Sequence, residues 1–196
     1  MTRDPALLTD CCLLASCFLL VAFCFLASFL LPLLRIEPAH VDDVAALSEL
    51  NNQFSPQGLT LPRAESWVAS HIDDYRVVRD EHGRILGSVC LDDYSPSLVE
   101  LVSLAVRPDQ QGKGMGSALI AAAVDLARRR GYPELFAVSF SDNLFQQCGF
   151  RFGDINRYPE KRARYAKVSD DEWTVGQKHC FVMDLRPATP PGADGG

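Results

Sequence analysis

"VRPDQQGKGMGSAL", residues 106 to 119, sets Gly112, Gly114 and Gly116 on alternate positions between the apolar run "LVELVSLAV" and an alanine-rich run. The pattern reads as a strand passing through a turn at Pro108 and Asp109 into a helix. A helix start offers N–H groups with no intrahelical partner and the positive end of the helix dipole, and together these attract anions. Glycines remove the side chains that would keep a phosphate from those N–H groups. Gln111 and Lys113 add a hydrogen-bond donor and a charge at the loop's edges. The stretch is expected to hold a phosphate or pyrophosphate, the alternative being a glycine-rich turn with no ligand.

Spacing excludes two familiar phosphate loops. A dinucleotide fingerprint needs G-x-G-x-x-G, but the sixth position counted from Gly112 is Ser117. A Walker loop needs Ser or Thr after its lysine, and Gly114 follows Lys113.

Outward from this junction, strand and helix signals alternate. Leu33 to Glu37 reads as a short strand, His40 to Asn52 as a helix and Arg63 to Ile72 as a second short helix, with a loop over Phe54 to Leu61. "YRVVRD" from Tyr75 and "RILGSVCLDD" from Arg84 form two strands around the turn "EHG". Leu98 to Val106 is a long strand, Gly114 to Arg130 a helix, Glu134 to Phe140 a strand, Asn143 to Cys148 a helical turn and His179 to Leu185 a last strand.

The chain has 196 residues, 47% hydrophobic and 22% charged, which suits one globular domain with an apolar attachment. With a net charge of -6 and basic clusters that are short and flanked by acids, nucleic acid is not the expected partner. The seven cysteines lack C-x-x-C spacing and sit among apolar neighbours, so they read as reduced thiols, and no metal site is expected. Residues 1–32 form an apolar N-terminal segment, 33–186 the domain, and 187–196 a tail too poor in apolar residues to order itself. From Cys11 to Leu34 there are 24 residues without a charge, enough as a helix to reach roughly 36 Å and cross a bilayer. Two readings stand for this segment: a membrane anchor through residues 11–31, or an artefact of start-site choice with the true start near Leu34. Arg3 and Arg35 flank it almost symmetrically, so charge gives no orientation.

Gln111-Gly112-Lys113-Gly114-Met115-Gly116 fits [QR]-x-x-G-x-[GA], the pyrophosphate loop of the GCN5-related N-acetyltransferases, or GNAT family. "LRIEPAHVDDVAALSEL" resembles that family's opening strand and helix, and "NLFQQCGF" its fourth helix and the step into its sixth strand. The resemblance covers about Leu33 to Leu185. It implies an α/β fold: a mixed, mostly antiparallel sheet of six to seven strands, splayed between the fourth and fifth, with about four flanking helices.

The resemblance also implies acetyl-CoA as co-substrate, an amine acceptor that attacks the thioester directly, and a cytoplasmic setting, tethered or free. A homodimer stays open. Leu104, Ala105 and Val106 would offer backbone groups to the pantetheine arm and thioester, while Gln111, Gly112, Lys113, Gly114, Met115, Gly116 and Ser117 would hold the pyrophosphate, with Asn143 nearby. Glu100 matches the family's strand-four carboxylate and would take the amine's proton, usually through water. An alternating strand would set it on the same face as Val102 and Leu104; the alternative is a solvated residue near a hairpin end. The tyrosine that often protonates the departing thiolate is replaced by Phe145, so Asn143, Ser141 or Tyr158 would have to assist. Cys148 reads as a packed thiol. The segment from Tyr158, with Lys161, Arg164 and Tyr165, faintly resembles the acetyltransferase domain of N-acetylglutamate synthases, where basic residues hold glutamate's carboxylates, or is an ordinary solvated loop. A non-catalytic CoA-binding module is the competing function.

Overall fold

The computed structural model describes residues 35–165 and 178–186; the apolar segment 1–32 and the tail 187–196 lie outside them. Among the described residues no helix is long and apolar enough to cross a membrane. In chain order the elements are β1 (Ile36–Pro38), α1 (Val44–Asn52), α2 (Glu65–Ser70), β2 (Tyr75–Arg79), β3 (Ile85–Ser95), β4 (Leu98–Val106), α3 (Met115–Arg129), β5 (Glu134–Ser139), α4 (Asp142–Gln147), β6 (Arg151–Gly153), α5 (Pro159–Tyr165) and β7 (His179–Asp184). The strands form one sheet in the order β1-β2-β3-β4-β5-β7-β6. Among the described strands, only β4 and β5 run parallel.

The one parallel pairing is also the incomplete one. β4 and β5 meet only at Val99↔Leu135, Glu100↔Phe136 and Leu101↔Ala137, although β4 continues to Val106 and β5 to Ser139. A bulge in β4 accounts for the parting. Cys90 on β3 faces Val102 and Ser88 faces Ala105, so Ser103 and Leu104 stand opposite Val89 alone. Ser103 takes φ 52°, in the left-handed region that non-glycine residues rarely enter. Such a bulge bends and twists its strand, here just past the last residue paired with β5.

The bulge also corrects the strict alternation expected for β4. Leu101, Leu104 and Val106 pack with the core under α3, whereas Val102 and Ala105 pack with the core under α1 and α2. Leu104 is thus thrown to the face opposite Val102, because the extra residue inverts the pleat.

Helix α3 covers one face through Met115, Leu119, Ile120, Ala123, Val124 and Ala127, all buried at helical spacing. It lies so close to β3 that a Cβ on Gly87 would stand 3.0 Å from both Leu119 Cδ1 and Met115 Sδ. This contact fixes where the first turn of α3, and hence the glycine loop, sits relative to β4. Leu47 and Leu50 of α1 and Val68 of α2 cover the opposite face.

At the start of the domain Arg79 ties strands to helix. Its Nε donates to Glu37 Oε1 at 2.7 Å, and its two terminal nitrogens donate to the two oxygens of Asp43 at 2.9 and 2.5 Å. Burial works against the Asp43 carboxylate, but hydrogen bonds from Arg79 and the His40 N–H outweigh it and hold the carboxyl below its usual range. A depressed carboxyl contributes stability that is present above its unfolded pKa and lost as pH falls through its folded one. Asp43→Asn is therefore expected to cost about 1.5–3 kcal/mol in urea unfolding at pH 7, with the gap to wild type closing as pH falls below about 4.

The expected elements recur with ends moved by a few residues. One segment differs in kind. The stretch after Tyr158 is not a solvated loop: Pro159–Tyr165 forms α5, and its Lys161 is only 4% exposed.

Candidate functional site

Where β4 and β5 part, a cleft of about 590 Å³ opens, and every residue from Glu100 to Val106 lines it. Beyond Leu101 the β4 backbone has no β5 partner, so its N–H and C=O groups on that edge are left to other ligands. An extended, polar chain is what such an edge can accept.

At one end the cleft meets the glycine loop. Arg107 N donates to Leu86 O at 2.9 Å and Arg107 Nε to Ile85 O at 2.7 Å, which anchors the start of the turn to β3. Gly112 and Gly114 then take φ 75° and 78°, which only glycine adopts freely. The first helical bond across this turn runs from Ala118 N to Gly114 O at 3.1 Å. The N–H groups of Met115, Gly116 and Ser117 thus belong to the first helical turn and have no acceptor within the helix. Gln111 Nε2 donates to Val106 O at 3.0 Å, closing the loop against the end of β4.

The structure brings most of the expected residues to this one cavity. Glu100, Leu104, Ala105, Val106, Gln111, Gly112, Gly114, Met115, Gly116 and Ser117 all line it. Two do not. Lys113 points its ammonium at Gln110 Oε1, 3.0 Å away on the exposed rim, and Asn143 is exposed on α4 outside the lining. An exposed charge on the rim still attracts an anion at longer range, but neither side chain forms the wall.

Glu100 is not a solvated strand residue. It is 2% exposed, with Lys161 Nζ 2.7 Å from Oε1 and 2.8 Å from Oε2, and the Tyr94 hydroxyl donates to Oε2 at 2.8 Å. A carboxylate can stay ionised in such a place only because it is paired and hydrogen-bonded.

Phe145 belongs to the core. It is 2% exposed, stacks on Phe181 at 5.0 Å and meets Phe150 edge-on at 5.2 Å. Tyr158 cannot take over as an acid: it is buried, stacks on Phe136 at 4.1 Å, and gives its hydroxyl proton to Glu134 Oε1 at 2.8 Å. Burial, and then the bond to Glu134, push its pKa up. Ser139 and Ser141 do line the cleft, with hydroxyls where β5 ends. The thiols of Cys90, Cys148 and Cys180 are free; Cys148 is half-buried against the main core.

At the far end of the cleft, Lys161 was a sequence candidate, but Arg63 and Lys178 were not. Arg63, at the entry to α2, and Lys178, before β7, join Lys161 in its lining. Arg63 lies over the Trp67 ring at 3.8 Å, the four-residue spacing that pairs neighbouring turns being the one sequence signal of this contact. Lys178 sits 5.3 Å from the Phe140 ring centroid and donates to Leu59 O at 3.4 Å. Burial, then the Lys161 ammonium, lower its pKa below the ordinary lysine range, with Glu100 opposing. The side chains of Arg164 and Tyr165 lie outside the described residues.

With three cations against one carboxylate among the described residues, the ionisable lining of the cleft is positive. It can hold a diphosphate at the glycine loop, an extended polar chain along β4, and a further anion near Arg63 and Lys178.

Comparison with known proteins fits this geometry. An uncharacterised N-acetyltransferase of Chlorobaculum tepidum is 26% identical over 126 residues, 64% of this chain and 81% of that protein. An amino-acid acetyltransferase of Neisseria meningitidis is 29% identical over 131 residues, 66% of this chain but only 30% of the relative's length. The structure of N-acetylglutamate synthase from Neisseria gonorrhoeae, complexed with coenzyme A and N-acetyl-glutamate, superposes with a TM-score of 0.68 at 26% identity over 78% of this chain and 35% of that one. The family model for the acetyltransferase (GNAT) family matches residues 44–150. The chain thus belongs to the acetyltransferase (GNAT) family.

Proposed function

We propose that the chain moves an acetyl group from acetyl-CoA to the amino group of a small acidic molecule of the amino-acid type. The observation that carries this reading is the positive acceptor end of the cleft, where Arg63, Lys161 and Lys178 converge and Glu100 is the one carboxylate in the lining among the described residues. A polyamine would enter such a site against repulsion, whereas a dicarboxylate brings the missing negative charge. The amino-acid acetyltransferases among its relatives lend the same direction, although the chain spans only about a third of their length.

In this reading, the loop from Gln111 to Ser117 grips the diphosphate, and the free edge of Leu104 to Val106 lies along the pantetheine arm and polarises the thioester. Glu100 receives the amine's proton. The thiolate leaves without a tyrosine, helped by water or the Ser139 and Ser141 hydroxyls.

The test is acetyl transfer from labelled acetyl-CoA to a panel of glutamate, aspartate, glutamine, lysine and spermidine. Acidic amino acids are expected to be preferred, and Arg63→Met should raise their KM about 10- to 100-fold, the range of a lost charge-assisted hydrogen bond. A preference for spermidine or lysine would overturn the acidic acceptor. No release of free CoA with any amine would favour a CoA-binding module instead.

A further inference from the structure

We infer that Lys161 is the positioning residue of Glu100, holding its carboxylate so that Oε1 alone is left to receive a proton. This rests on the proposed role of Glu100.

A carboxylate has about four acceptor sites, two on each oxygen. Oε2 accepts from both Lys161 at 2.8 Å and Tyr94 at 2.8 Å, and so has none to spare. Oε1 lies 2.7 Å from the Lys161 ammonium as its ion-pair partner, and among the described residues no hydrogen-bond donor is directed at it. One site therefore stays open, on the oxygen without the tyrosine, in a residue that lines the cleft. An amine reaching this atom, directly or through a water, would lose its proton there as its nitrogen forms the bond to the thioester carbon and the thiolate departs. No other atom of Glu100 has room for it.

The surroundings explain why a positioning cation is needed. Asp92 stands opposite Glu100 in the β3–β4 register and is itself buried, while Phe136 of β5 faces it from the other side. Cys180 of β7 and Lys178 just before it also act on Glu100 electrostatically, and Tyr94 comes from β3. A second carboxylate and an aromatic ring both disfavour a negative charge at this point. Lys161, from α5, supplies the short-range compensation. It ties the segment after β6 to the centre of the sheet, a contact spanning 61 positions in sequence.

The test compares Lys161→Met, Lys161→Arg, Glu100→Gln and the double variant Glu100→Gln/Lys161→Met, using acetyl-CoA and the acceptor preferred in the panel. If Lys161 acts through Glu100, Lys161→Met lowers kcat with little change in KM for acetyl-CoA. The acid limb of its kcat/KM profile then moves to higher pH by about 1–3 units, the range for removing a cation from a carboxylate. Lys161→Arg restores much of both, and the double variant is no slower than Glu100→Gln alone. Losses that simply multiply in the double variant, or an acid limb that stays in place, would overturn the inference. Should Lys161→Met fail to fold, Lys161→Arg and the double variant, which leaves no unpaired buried charge, carry the same comparison. A double variant slower than Glu100→Gln alone, or a Lys161→Arg variant that loses kcat although folded, would then count against it. If Glu100→Gln by itself leaves turnover intact, the proton-accepting role of Glu100 fails, and that result is separate from any of these.

Discussion

Glu100→Gln is expected to leave coenzyme A binding unchanged in calorimetry and to lower turnover about 10²- to 10⁴-fold at neutral pH, the range for removing a positioned general base. An amino group attacks a thioester only as the free amine, and at neutral pH most amines arrive protonated. Among the described residues Glu100 is the one carboxylate in the cleft lining, and it stands one residue before β4 and β5 cease to pair. Glutamine keeps the shape and can still accept from Lys161, but it cannot take up the proton. Breaking a buried ion pair costs about 3–5 kcal/mol, so urea unfolding measured on the same sample separates loss of folded enzyme from loss of chemistry. Turnover within threefold of wild type in a fully folded variant would remove Glu100 from the mechanism.

The second large effect concerns the loop. Gly114→Val is expected to weaken coenzyme A binding about 100-fold by calorimetry, equivalent to about 2.7 kcal/mol. Space is not the obstacle, because a Cβ at Gly114 meets nothing within 4 Å. The obstacle is φ at 78°, which costs an ordinary residue about 1–2 kcal/mol and a β-branched one more. The chain must either bear that strain or turn its N–H groups away from the diphosphate. Gly116→Ala makes the contrast. Gly116 is helical, and its added Cβ would lie at an ordinary 3.4 Å from Leu144 Cδ2, so stability should barely change. Any loss of coenzyme binding there would report the approach of the ligand rather than the backbone. An unchanged dissociation constant for Gly114→Val would sink the assignment of the loop.

Phe145 and Lys161 mark the two limits of reading such a chain. Replacement of the expected tyrosine was visible as one letter; that this ring packs against Phe150 and Phe181 while remaining in the cleft lining was decided by the fold. Lys161 was legible only as one basic residue of a segment that faintly resembles N-acetylglutamate synthases, and nothing in the sequence tied it to Glu100. In sequence it belongs to a run of charges that resembles a solvated surface, yet it is buried against Glu100.

By itself, the sequence determined what depends on neighbours along the chain. The glycine loop was legible because its chemistry is local: alternating glycines after an apolar strand impose left-handed backbone and leave the first turn of α3 with open N–H groups. Strand and helix periods were legible for the same reason. Only the tertiary structure decided which distant residues meet. The bulge at Ser103 depends on β3 offering one residue against two, and it inverts the face of Leu104 against the simple pleat. Arg63, Lys161 and Lys178 come from three separate segments, and the parting of β4 from β5 brings them to one cavity. Charge is long-ranged and indifferent to chain order, so the sign of the acceptor site becomes readable only once the fold has gathered its owners.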